Sequence, residues 1–126
     1  RRPRIMASEL RVNTLKDASG NNSVATSVVF NGTAKVWVNG DTDGSILDST
    51  NVSSSSDVAA GRYQYNFTNS MVNALYAASG TSEGGANMFS LHQSFKEASS
   101  CQTRNVTHAD ANNDIKHGMV IHGDLA

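Results

Sequence analysis

From Gly61 to Thr68 the chain reads Gly-Arg-Tyr-Gln-Tyr-Asn-Phe-Thr, with Tyr63, Tyr65 and Phe67 at every second position and Arg62, Gln64 and Asn66 between them. A period of two marks a strand with one buried face, because a helix would scatter those three rings around its circumference. Three aromatic side chains on one face predict a strand that anchors a core.

Weaker versions of the same alternation recur along the chain. Residues 10–15 place Leu10, Val12 and Thr14 on one side, and residues 33–39 place Val36 and Val38 opposite Trp37. The lone Trp37 is therefore expected on a second, half-covered face or at an oligomer contact. Further strands are expected at 23–30, 45–52, 87–95, 102–108 and 117–122, and a turn of helix leading into a strand at 71–78. Asn31-Gly32 reads as a hairpin turn, residues 53–57 as a polar loop and 80–85 as a flexible one. Ser, Thr, Asn and Gly supply 49 of the 126 residues, and proline occurs once, at Pro3, so these small polar residues must supply the strand breaks. Eight or nine short strands with such punctuation predict an all-β fold, an antiparallel β-sandwich or jelly-roll-like domain with an extended N-terminal arm.

Leu, Ile, Val and Phe total only 25 residues, a thin supply for the core of a chain this long. Self-association or a partner surface is expected to complete the burial, with a trimer favoured. Charge is uneven although the net is only −1. Arg1, Arg2, Arg4, Arg11 and Lys16 face a single acid, Glu9, within the first sixteen residues, whereas acids outnumber bases beyond them. Residues 1–16 are accordingly read as a basic attachment arm with the first strand, and 17–126 as a single sandwich domain. No aromatic residue is interleaved among those bases to stack on nucleobases, so an acidic partner protein is preferred over nucleic acid. No apolar run approaches the ~20 residues that span a bilayer. Cys101 is the only cysteine, which leaves no internal disulfide framework.

Chemistry-bearing patterns are sparse. Asn39, Asp41, Asp43, Gly44 and Ile46 match the first half of a calcium loop, but its twelfth position is Thr50 and not glutamate. Asp41 and Asp43 stand as candidate calcium ligands, against the simpler reading of an Asx-rich hairpin turn. His108, His117 and His122 lie near Asp110, Asp114 and Asp124, yet His117 and His122 point to opposite faces of one strand. Serines are plentiful, but none sits in a Gly-x-Ser-x-Gly elbow, and no enzyme activity is expected.

Several stretches taken together carry a resemblance. They are Leu10-x-Val12-x-Thr14-Leu15-x-Asp17-x-Ser19-Gly20-Asn21, Thr33-Ala34-Lys35-Val36-Trp37-Val38-Asn39, Asn51-Val52-Ser53-Ser54, the aromatic strand with Met71, and the ending Ile121-His122-Gly123-Asp124-Leu125-Ala126. In these the chain resembles virion structural proteins, of the capsid-surface knob or tail-fibre type, of marine T7-like cyanophages. The acidic turn after Trp37 departs from that pattern, and residues 79–118 fall outside it. The resemblance implies a non-catalytic protein of the particle surface, made in the host bacterial cytoplasm. Its partners would be other capsid or tail proteins, with a tail-fibre component or an adhesin for host surface polysaccharide as the alternative. A calcium-dependent carbohydrate-binding module is the third expectation.

Overall fold

A computed structural model describes residues 9–126. The chain divides into two compact units, Arg1–Gly32 and Thr33–Ala126. The boundary lies further along the chain than the division after Lys16 drawn from the sequence.

In the first unit, β1 (Thr14–Lys16) and β2 (Ser23–Ala25) form an antiparallel hairpin, and α1 (Thr26–Gly32) follows directly. Val28, Val29 and Phe30, expected in a strand, are therefore helical. The ladder stops at Thr14↔Ala25. Beyond it, a helix bonds its own N–H and C=O groups internally, where a continued strand would need a further partner for them. Thr26 marks the switch: its N–H donates to the Asn13 carbonyl at 3.0 Å and its hydroxyl to the Val12 carbonyl at 3.1 Å. Asn31-Gly32 ends this helix and forms no hairpin.

The second unit is the sandwich. One sheet has the order β4-β3-β10-β7, built from β3 (Val36–Gly40), β4 (Ile46–Thr50), β7 (Ala77–Ser82) and β10 (His117–His122). The other has the order β5-β6-β9-β8, built from β5 (Val52–Ala59), β6 (Arg62–Phe67), β8 (Asn87–Lys96) and β9 (Ser100–Thr107). Every pairing is antiparallel. Asn51 carries the chain from one sheet to the other with φ at 60°, and its side chain both donates to and accepts from the Asn69 backbone. Among the described residues no helix is long and apolar enough to cross a membrane.

The core lies between the sheets, as the alternation of β6 requires. Tyr63, Tyr65 and Phe67 are buried there against Val36, Val38, Met119 and Ile121, with Cys101, Met71 and Tyr76 completing the cluster. Three local expectations are corrected. Residues 53–57 belong to β5, an edge strand whose serines are mostly solvent-facing and so show no apolar alternation. Residues 71–78 contain no helix: Met71 bridges to Leu125 and the strand begins at Ala77. The supposed loop at 80–85 shrinks, since β7 continues to Ser82. Gly80 is needed there because an added Cβ would fall 2.6 Å from the Phe89 ring.

Candidate functional site

Inward-facing positions near one end of the sandwich are polar. His117, fully buried at the start of β10, stacks on Tyr63 with ring centroids 4.9 Å apart and planes 7° apart. Its Nδ1 lies 3.0 Å from the Ile115 carbonyl, which can only accept, so Nδ1 carries the proton. Nε2 is then the acceptor for the Tyr65 hydroxyl at 2.8 Å. Burial pushes the His117 pKa down and the Tyr65 and Tyr63 pKa values up, so all three are neutral near pH 7. Asp114 accepts from the Gly61 N–H at 2.6 Å and the Tyr63 hydroxyl at 3.1 Å. Asn105, fully buried, accepts from Ser82 at 2.7 Å and so ties the two sheets together. These bonds link the two sheets at this end of the sandwich, and the Asn105 amide nitrogen is buried there without a partner among the described residues.

Asp41 and Asp43 lie in the β3–β4 turn at the same end. Asp41 accepts from the Thr42 N–H at 2.7 Å, and Asp43 from the Ser45 N–H at 2.9 Å. Hydrogen bonds from the Ser45 side chain and backbone hold the Asp43 carboxyl below the usual carboxylate range. Lys116 approaches Asp41 at 3.9 Å. Both carboxylates thus cap the turn, as the simpler reading of an Asx turn has it. Among the described residues no three His, Cys, Asp or Glu side chains gather to hold a metal ion. His117 faces the core, while His122, at an outward position on β10, is only half-buried. Asp110 instead pairs with Arg104 at 3.0 Å.

The outward face of the β4-β3-β10-β7 sheet is different. Trp37 pairs with Val120 and Thr50, and Asn39 with Gly118 and Asp48; Gly118 in turn pairs with Thr81. At the place where Gly118 contributes no side chain, the sheet is hollowed into an open groove of about 430 Å³, lined by Trp37, Ser79, Thr81, Gly118 and Val120. Asn39 stands beside it, half-buried, with an amide oxygen that has no hydrogen-bond partner. Sequence reasoning placed Trp37 correctly on the face opposite Val36 and Val38 but passed over the glycine interrupting the strand at 117–122.

The outward face of the second sheet carries a hydrogen-bonded strip. Arg62 donates to Gln102 at 2.7 Å, Gln102 to Gln64 at 3.0 Å, Gln64 to Asn66 at 3.0 Å and Asn66 to Ser54 at 2.9 Å. Gln102 is almost fully covered although it points outward. The spacing of amides in β6 and β9 is the signal that could have revealed this strip.

Cys101 is buried behind Met119, and burial pushes its thiol up to about 12. Thiolate is the reactive form. Iodoacetamide at pH 8 is expected to leave the native protein unmodified and to alkylate it fully in denaturant, as read by intact mass. Rapid native labelling would show an accessible thiolate.

Of the other residues singled out in the sequence, Val36, Val38, Tyr63, Tyr65 and Phe67 belong to the core. Arg1, Arg2 and Arg4 lie outside the described residues. Arg11 is exposed and pairs with Glu9 at 2.8 Å, and Lys16 is exposed on β1. Comparisons with protein-family models, curated proteins and solved structures find nothing that matches this chain.

Proposed function

We propose that the protein is a non-catalytic structural component of a bacteriophage particle, a small capsid-decorating or knob-like appendage attached through its N-terminal segment. One observation carries this reading. Leu10, Val12, Leu15 and Val28 are exposed and α1 buries none of its residues, whereas the sandwich has a closed core. A segment that leaves its apolar side chains in water gains stability when a partner surface covers them, at about 25 cal/mol per Å² of apolar area. The basic side chains Arg1, Arg2, Arg4 and Lys16 favour an acidic partner surface.

The sandwich itself has two unlike ends. The chain enters it through Lys35, whose N–H donates to the Ile121 carbonyl, beside the Met71–Leu125 bridge. Val72, Leu75 and Leu125 are exposed at that end, Leu75 at 87%. The opposite end carries the acidic β3–β4 turn. An appendage docked by its entry end would bury those apolar side chains and present the acidic turn outward, together with the exposed Leu47 and Val58 near the turns of that end.

Deleting residues 1–32 is expected to leave a folded sandwich, with an unchanged β-sheet circular dichroism spectrum and a cooperative melt, and to abolish co-sedimentation with particles. Retained co-sedimentation would overturn the attachment role. A second reading, an adhesin for host surface polysaccharide, is favoured by the hollowed face beside Trp37.

A further inference from the structure

Gly118 is in the middle of β10, flanked on both sides by paired strands, where glycine weakens a sheet through its extra backbone freedom and missing side chain. The fold does not require it. Its φ is outside the left-handed region, and an added Cβ would meet nothing closer than the Thr81 hydroxyl and the Val38 carbonyl, both at 3.9 Å. Gly40 and Gly80, on the strands either side, differ: a Cβ at either would collide with a ring of the core. A glycine demanded by neither backbone nor packing, inside a central strand, keeps open space on the outer face, as where a ligand comes close to the backbone.

The surroundings of that space define a chemistry. An indole supplies an apolar wall, and Ser79 and Thr81 supply hydroxyls. Asp48 stands opposite Asn39 on the neighbouring edge strand and disfavours an anion. The volume is within the range of small-molecule sites, which pair an apolar lining with a few polar groups. A pyranose ring presents one face of C–H groups and a rim of hydroxyls that both donate and accept. By contrast, the buried centre of an interface between copies is enriched in aromatic side chains, Met and Arg, and Ser is depleted there.

We propose that the groove at Gly118 binds a neutral pyranose unit of a glycan, its C–H face against Trp37 and its hydroxyls served by Thr81 and Ser79. This rests on the second functional reading and assigns it a site.

Trp37 is the only tryptophan, so its emission and its single indole N–H resonance report on this site alone. The full chain would be titrated with methyl α-D-gluco-, galacto- and mannopyranoside and with neutral trisaccharides of the same sugars. A saturable shift of the indole signal is expected with at least one of them. Gly118→Val fills the groove with a residue suited to strands and is expected to weaken that binding at least about tenfold, a loss of the size that follows from spoiling a packed aromatic contact. Its unfolding midpoint should be retained. Thr81→Ala, which leaves the strand backbone untouched, should weaken binding as well and serves if the valine variant fails to fold.

No saturable shift with any of these sugars would overturn the proposal, as would unchanged binding by both variants. A dimer of the wild-type chain that Gly118→Val dissociates, with no sugar response, would assign the face to a second copy. The titration uses isolated protein, so its failure is separate from that of the particle association tested by deleting residues 1–32.

Discussion

Gly40→Ala is expected to destabilise the sandwich by roughly 2 to 3 kcal/mol, the upper part of the range for forcing an extra methyl into a packed core. That is a large fraction of the about 5–15 kcal/mol that holds a typical domain together. Gly40 pairs directly with His117, and a Cβ there would overlap the Tyr65 hydroxyl and come within 2.9 Å of the imidazole. Neither group can withdraw without cost. Tyr65 is fixed between the sheets, and among the described residues its hydroxyl is the only donor that the geometry gives to Nε2. Moving it leaves a buried acceptor unpaired, at about 1–3 kcal/mol. Urea denaturation followed by Trp37 fluorescence would measure the loss, and an unchanged midpoint would contradict this account. Gly118→Ala is the control: with open space around it, it should be neutral or stabilising by up to ~1 kcal/mol.

Acidification is expected to weaken the fold before its carboxylates titrate. The folded His117 pKa is depressed, chiefly by burial and against a small opposing pull from the Ile115 hydrogen bond and the Glu83 charge. The unfolded chain therefore binds the proton more readily than the native one. Stability contributed by neutral His117 is complete above the ordinary histidine pKa of about 6.5 and is lost as pH falls from there toward the lower folded value. Within that window the loss approaches about 1.4 kcal/mol per pH unit. Protonation would aim a second N–H at the Tyr65 hydroxyl and strip that hydroxyl of its acceptor. Tyr63 and Phe89, the rings stacked against the imidazole, offer no anion to compensate. Asp17 and Asp43 act in a separate and more acidic window, because hydrogen bonds lower their pKa values from the carboxylate range. Denaturation midpoints between pH 7.5 and pH 5 would test this, with His117→Gln expected to flatten the slope over that interval. An equal slope in the variant would assign the effect to other groups.

The sequence by itself determined the strands whose one face is apolar and whose other face is polar. In β6 each ring had to point the same way, and in β3 Val36 and Val38 had to oppose Trp37; a period of two leaves no choice once one side is buried. It also determined the all-β class. Where that contrast was missing, local reading failed. The serines of β5 belong to a strand because β6 offers its edge, and Val28, Val29 and Phe30 are helical where the β1–β2 ladder ends, although their side chains favour strands.

Only the tertiary structure decided which polar residues meet. Tyr65 and His117 are 52 residues apart and Ser82 and Asn105 are 23 apart, and each pair hydrogen-bonds because two sheets stack. The hollow at Gly118 has the same origin. It exists because β10 lies between β3 and β7, so that the absence of one side chain becomes a space walled by its neighbours. Alternation along a strand is a local property of the backbone, legible in a few consecutive residues, whereas strand order and stacking bring together side chains that no local pattern relates.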